Sequence, residues 1–153
     1  MALNRSFIGH RAEPFSVPVE ASRLRLFAKA IGETDPVYTD EAAARAAGHP
    51  ALPVPLTYLF CLESESPHGA TMRQQMGVDY ARLLHGEQRF KYHRTCHAGD
   101  TLTFRQRIAD IYDKKGGALW FVVQEMEMKD QAGKLLAKGR GVTVVRNPDA
   151  AKK

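Results

Sequence analysis

Apolar positions follow a helical period in the first quarter of the chain. Four residues of the segment 20–31 fall at i, i+3, i+4 and i+7, namely Leu24, Phe27, Ala28 and Ile31. Basic residues separate them, and this spacing predicts an amphipathic helix whose apolar side faces the core. An alanine-rich run from Asp40 to Ala47, followed by Gly48, predicts a second, short helix.

The segment 53–62 has a different pattern, because it is apolar on every side. It reads Pro-Val-Pro-Leu-Thr-Tyr-Leu-Phe-Cys-Leu and ends before a polar run. A helix without a polar face must be surrounded by other elements. The sequence therefore predicts a central helix that is buried all round.

The second half of the chain alternates between apolar and polar residues, which is typical of strands. Strands are predicted from residue 84 to Tyr92 and over three further runs, Thr101–Tyr112, Leu119–Met128 and Leu135–Arg146. The turn-forming segments 114–117 and 130–133 suit hairpins, so these strands form an antiparallel meander. The run Phe15–Val19 supplies a fifth strand candidate, restricted by its flanking prolines.

These elements together predict the fold class α+β. A curved antiparallel sheet that wraps around one apolar helix is the hot-dog arrangement, and 153 residues suit a single domain of this kind. We expect the domain to span residues 1–153, with frayed ends at 1–10 and 147–153. An exposed sheet edge favours a dimer.

Charge and composition narrow the function classes. The formal net charge is +5, but the basic residues are dispersed along the sequence, so neither a nucleic-acid platform nor a membrane partner is expected.

Phe90 and Tyr92 alternate with charged residues and are predicted to face the core. Cys61 and Cys96 are predicted to be reduced thiols. No apolar run is long enough to cross a membrane or serve as a secretory signal, which favours a cytoplasmic protein.

The segment from Gly32 to Tyr38 holds the candidate chemistry. It reads Gly-Glu-Thr-Asp-Pro-Val-Tyr directly after the first predicted helix. This run resembles the Gly-Asp-x-Asn-Pro-Leu-His hydratase motif of the MaoC-like dehydratases, in the N-terminal, fatty-acid-synthase-type branch. The resemblance extends over about residues 5–146 and includes Pro53-Val-Pro-Leu-Thr, Leu84-His-Gly-Glu-Gln and Ala98-Gly-Asp-Thr-Leu.

The resemblance implies action on acyl thioesters of coenzyme A or acyl carrier protein, with no cofactor and no metal. In catalytic members, an Asp and a His add water across a trans-2 double bond. Here Glu33 stands at the Asp position, Asp35 at the Asn position and Tyr38 at the His position. An unperturbed phenol titrates near pH 10 and imidazole near 6.5, so Tyr38 is a poor base at neutral pH. The resemblance is therefore to the degenerate half or subunit of these enzymes.

Further site residues are suggested by the same resemblance. It implies substrate contacts for Asp35, Pro36, Pro55, Thr57, Gly86 and Glu87. His85 and Glu87, two positions apart in a predicted strand, are expected on one face, together with Arg89, Lys91 and His93. That spacing suits a base with its orienting acid, or two metal ligands, but a charged surface face is the favoured account because Arg89, Lys91 and His93 continue it.

Three functions remain open from the sequence. The first is a subunit of an (R)-specific enoyl-CoA hydratase or 3-hydroxyacyl-thioester dehydratase, which shapes the acyl pocket for a partner that carries Asp and His. The second is a self-sufficient homodimeric hydratase that uses Glu33 together with His85. The third is an acyl-CoA-binding module that performs no chemistry, and a thioesterase has the support of fold analogy alone.

Overall fold

The computed structural model describes residues 2–150. Its α-helices are α1 (Ala21–Ala30), α2 (Glu41–Ala46), α3 (Tyr58–Glu63) and α4 (Gly69–Gln75). Its strands are β1 (Phe15–Pro18), β2 (Leu83–Tyr92), β3 (Thr101–Lys114), β4 (Leu119–Lys129) and β5 (Leu135–Arg146), and three 3₁₀ turns cover Arg5–Phe7, Pro36–Tyr38 and Tyr80–Arg82. Within the described range, no helix has the length and apolar character needed to cross a membrane.

The five strands form one antiparallel sheet in the order β1-β3-β4-β5-β2. The predicted α+β class is confirmed, but the predicted four-strand meander is wrong in one respect. Only β3, β4 and β5 follow each other as neighbours, whereas β2 pairs with β5 at an edge. The connection 93–100 runs from the β2 edge past the ends of β5 and β4 to reach β3. A hydrogen bond from Val54 N–H to Cys96 O, at 2.8 Å, holds this connection in place.

The apolar segment 53–62 is neither helical throughout nor buried all round. Helix α3 begins only at Tyr58, since Pro53 and Pro55 have no amide hydrogen to donate within a helix. Tyr58, Leu59 and Leu62 are buried against the sheet, but the Phe60 side chain is 40% exposed. In α1, Leu24 and Ala28 are buried as predicted, but the predicted core residue Ile31 lies beyond the helix end and is exposed.

The side chains between sheet and helices form two separate core clusters. One joins α1 and α3 to the near half of the sheet through Leu24, Leu59, Phe104 and Met128. The other joins α4 to the far half through Met72, Met76, Ile108, Trp120 and Val145. Cys61 and Cys96 are both free thiols, as predicted.

Two β-bulges lie where the clusters meet. One interrupts β2 between His85 and Glu87, and the other interrupts β3 between Ile108 and Asp110. Each bulge gives its strand an extra residue, which bends the strand and reverses the side-chain alternation beyond it.

Residues 2–10, expected to be frayed, pack against the rest of the molecule. The Leu3 side chain is buried, and Asn4 N–H donates to Met76 O at 3.1 Å. Gly9 N–H donates to Ile108 O at 2.8 Å. These backbone bonds fix a segment that the sequence pattern alone did not mark as structured. At the other end Asn147 is buried, and residues 151–153 of the expected fraying lie outside the described range.

Candidate functional site

The hydratase-like segment begins where α1 ends. Gly32 has a φ of +72°, a left-handed conformation that favours glycine, and the following Glu33 N–H donates to Ala28 O at 2.9 Å. The Glu33 carboxylate is turned back onto its own backbone. Its Oε1 accepts hydrogen bonds from the amides of Thr34 and Asp35, each at 2.9 Å. The acid at the expected catalytic position is thus engaged in a local turn.

The remaining motif residues are also held by local structure. Asp35 Oδ1 accepts from Val37 N–H at 3.0 Å and caps the 3₁₀ turn that starts at Pro36. Tyr38 closes this turn and its side chain is half-buried. Asparagine, which the motif has at the Asp35 position, can make the same capping bond. In this segment the carboxylates of Glu33 and Asp35 are therefore both engaged by backbone amides of the same turn.

His85 and Glu87 do not share a face, contrary to the sequence expectation. His85 lies opposite Thr143 and Glu87 lies opposite Val142, and these consecutive β5 residues project to opposite sides of the sheet. The cause is the bulge at Gly86. His85 consequently faces the helices, whereas Glu87 faces outward and binds Arg89 and Arg140 at 2.6 and 2.8 Å. The pairing of a base with an orienting acid is thereby ruled out, as is joint metal ligation by these two residues.

Gly86 occupies a position where backbones approach closely. A Cβ atom there would lie 2.8 Å from Val144 Cγ2 and 3.0 Å from Val142 O. Both distances are below normal contact, and one involves backbone that cannot move aside. The bulge therefore requires glycine for steric reasons, in addition to any substrate contact.

The His85 ring packs edge-on against Phe60 of α3, with ring centroids 5.2 Å apart at 86°. Near the other end of β2, Tyr92 Oη donates to Leu56 O at 2.9 Å. Of the other predicted substrate residues, Pro55 is buried, while Thr57 is exposed at the start of α3 and its side chain makes no capping bond. The contacts of His85 with Phe60 and of Tyr92 with Leu56 join β2 to α3 and the residue stretch just before it, and we call the surface along these four residues the β2 rim.

The two groups of predicted site residues are not joined by direct bonds. Between residues 2 and 150, no hydrogen bond, ion pair or ring contact links the segment 33–38 to His85. That part of the chain also contains no cluster of three His, Cys, Asp or Glu side chains that could hold a metal ion. The structure thus pairs His85 with Phe60, rather than with Glu33 or Tyr38.

Sequence reasoning missed Glu63, the last residue of α3. Burial raises the pKa of this carboxyl to about 7, partly opposed by the positive charge of Arg73. Its Oε1 accepts from Gln106 Nε2 at 3.3 Å, and its Oε2 is buried without a partner among the described residues. The one sequence feature that could have indicated this buried carboxyl is the position of an acidic residue at the end of an apolar helix.

Comparison with known proteins adds to this geometry. A family model described as "FAS1-like, dehydratase domain region" matches residues 6–138. A UPF0336 protein of Streptomyces coelicolor is 38% identical over 135 residues, which are 87% of this chain and 88% of the relative.

Among solved structures, the HadBC (3R-hydroxyacyl-ACP dehydratase) complex from Mycobacterium tuberculosis includes a chain with 25% identity and a TM-score of 0.75, covering 90% of this chain and 96% of that one. A MaoC-like dehydratase has 23% identity and a TM-score of 0.81, covering 94% of this chain but only 43% of that one. The predicted hot-dog fold and the predicted superfamily are confirmed by these matches.

Proposed function

Because this chain belongs to the family of FAS1-like dehydratase domain regions, we propose that it is a subunit of an (R)-specific enoyl-thioester hydratase, equivalently a 3-hydroxyacyl-thioester dehydratase. In this role it shapes the acyl pocket, while a partner hot-dog subunit carries the Asp and the His. The substrate is an acyl thioester of coenzyme A or of a carrier protein.

The state of the motif segment carries this proposal. Hydration needs one group that deprotonates water and another that moves a proton at the α-carbon. Glu33 is held by two amide bonds of its own turn, and Tyr38 replaces the histidine. His85 lies on a different element and contacts Phe60. The arrangement supports substrate binding more than acid–base chemistry.

The free edge of the sheet supports a partner of the same fold. Among residues 2–150, β2 pairs on one side only. Apolar side chains flank this edge, with Leu56 59%, Phe60 40% and Leu84 49% exposed. An unpaired edge with large exposed apolar neighbours is a favourable surface for a second subunit. The HadBC structure is itself a complex of subunits, and the MaoC-like chain is more than twice the length that this chain matches.

Hydration of crotonyl-CoA tests the proposal. The purified chain alone should show no rate above buffer, because no described pair of side chains is placed for the two proton transfers. Addition of a MaoC-like subunit with intact Asp and His should give turnover above that of the added subunit alone. Replacing the partner's Asp by Asn should abolish this turnover, whereas Tyr38→Phe in this chain should leave it nearly unchanged.

Strong turnover by the isolated chain would contradict the proposal. If that turnover then fell on both Glu33→Gln and His85→Ala, the self-sufficient homodimer would be the correct function. Tight coenzyme A binding without hydration in every combination would instead identify a binding module.

A further inference from the structure

Positive charge is concentrated on the side of the sheet turned away from the helices. One row of side chains crosses this outer side from β2 through β5 and β4 to β3 and the segment before β1. It consists of Arg89, Arg140, Glu125, Arg107 and Arg11, each opposite the next. Four of its five members are arginines.

A second row runs parallel to the first. It contains Lys91, Lys138, Glu127 and Arg105 on the same four strands. Lys129 lies beside it and lines the same trough, whose volume is about 830 Å³. Glu87 adjoins the first row through its ion pairs with Arg89 and Arg140. We call the two rows, Lys129 and Glu87 together the basic face.

The basic face carries a positive balance equal in size to the net charge of the chain, and Asp110, in the same outer row as Glu87, adds one negative charge at its border. It holds eight Lys and Arg side chains and three Glu side chains, a balance of five positive charges. The chain has 22 Lys and Arg and 17 Asp and Glu, a net of +5. The 14 cations and 14 anions that remain therefore cancel. Residues dispersed in sequence are gathered on one surface by the pairing of distant strands.

This arrangement opposes the stability of the isolated sheet. Arg89 faces Arg140 and Lys91 faces Lys138 in neighbouring strands, and like charges directly opposite each other are destabilising. Within residues 2–150, four cations of the face have no carboxylate partner: Arg11, Lys91, Arg105 and Lys129. An external set of carboxylates would relieve this repulsion.

An apolar row borders the basic face on the same side of the sheet. It consists of Leu84, Val144, Phe121 and Tyr112, again on β2, β5, β4 and β3. Leu84 is exposed, and the Phe121 and Tyr112 rings stack at 4.8 Å between centroids. Apolar and aromatic groups beside arginines are typical of protein–protein interfaces.

We infer that the outer side of the sheet docks a partner protein that presents a carboxylate-rich surface next to an apolar patch. The carboxylates pair with the cations of the basic face, and the patch covers the apolar row. Nucleic acid suits the surface less well, because a phosphate backbone offers no apolar patch to cover the apolar row beside the cations. Aromatic rings with free faces for base stacking are also absent from the two charged rows in the described chain.

Binding of a labelled, glutamate-rich helical peptide with an apolar stripe tests this inference by fluorescence anisotropy. The double variant Lys91→Glu/Arg105→Glu should weaken binding by about tenfold or more. The control Lys29→Glu/Lys134→Glu has the same net charge and changes two exposed lysines elsewhere, so it should weaken binding less than about threefold. The face variant should change the melting temperature little, because Lys91→Glu removes a repulsion with Lys138 whereas Arg105→Glu adds one with Glu127.

Two further measurements complete the test. Phe121→Ala should lower the affinity for the peptide but leave the salt dependence of binding unchanged, because the lost contact is apolar. Equal weakening by both double variants would overturn the inference, because net charge alone would then explain binding. It is equally overturned if single-stranded DNA binds more tightly than the peptide and loses affinity in the face variant.

Discussion

The Glu63 carboxyl group is buried inside the molecule, and its surroundings give the protein a pH-dependent stability. It lies at the end of α3 against the inner side of β3, where one oxygen meets Gln106 and the other has no partner within the described chain. Burial raises its pKa to about 7, from an ordinary value of 4.5. The protonated form is therefore favoured by folding.

The sign of the effect follows from linkage. Below pH 4.5 the group is protonated in both states, so its contribution to stability is fully present, and it is lost as the pH rises through 7. The difference in pKa corresponds to at most about 3 kcal/mol in the free energy of unfolding. Glu63→Gln should flatten the stability profile between pH 5 and 8 and unfold at higher temperature than the wild type at pH 8.

Thermal unfolding across this pH range checks the prediction. Glu13→Gln, which changes an exposed acid without an ion pair in the described structure, serves as the control and should follow the wild type. A pH profile that is unchanged by Glu63→Gln would show that the carboxyl is ionised in the folded protein at neutral pH.

Gly86 provides a second prediction at the residue scale. Gly86→Ala forces a Cβ against Val144 and the backbone oxygen of Val142, and overpacking of this kind costs about 1–3 kcal/mol. Gly141→Ala is the matched comparison on the neighbouring strand. Its nearest obstacle is the flexible Gln88 side chain, so the loss should be smaller. Urea unfolding of the two variants should give this order, and the reverse order would argue against a steric role for Gly86.

At the scale of elements, α3 and β2 form the rim that we expect a second subunit to cover. Phe60→Asp places a charge in the centre of that rim and should reduce the assembled mass to that of one chain in light scattering. Leu26→Asp changes a 69% exposed apolar residue on α1 and should leave the assembly intact. If only the Leu26 variant lost assembly, the interface would lie on α1 and not on the β2 rim.

The sequence predicted most elements because their patterns are local. The periods of 3.6 and 2 predicted α1 and the five strands to within a few residues, and the alanine-rich run before Gly48 predicted α2. The position of β2 beside β5 was not predictable in this way, since it depends on pairing between segments distant in the chain. The Gly86 bulge likewise placed His85 on the opposite face from the one expected. One extra residue in a strand reverses the side-chain alternation, and the apolar–polar pattern of the sequence does not reveal it.

The candidate site shows the same division. The local turn bonding of Asp35 follows from its sequence position before Pro36, and the structure contains it. The contact of His85 with Phe60 and the burial of Glu63 arise from the way α3 lies on the sheet. No period or motif encodes that placement, so these features appear only in three dimensions.

At the scale of the whole molecule, the sheet separates two surfaces with different tasks. Its inner side packs against the helices, and its outer side carries the basic face. Pairing through the β2 edge would leave that outer side open, because edge pairing uses backbone groups in the plane of the sheet. The proposed subunit contact and the proposed acidic partner are therefore compatible in one assembly.

The bulges of β2 and β3 have a consequence for how the effects of core mutations combine. They lie one residue pair apart across the sheet, where the two core clusters meet. Met128 belongs to one cluster and Trp120 to the other, so a cavity made beside one leaves the packing of the other intact. Free-energy losses from mutations in the two halves should accordingly add, whereas losses within one half should couple.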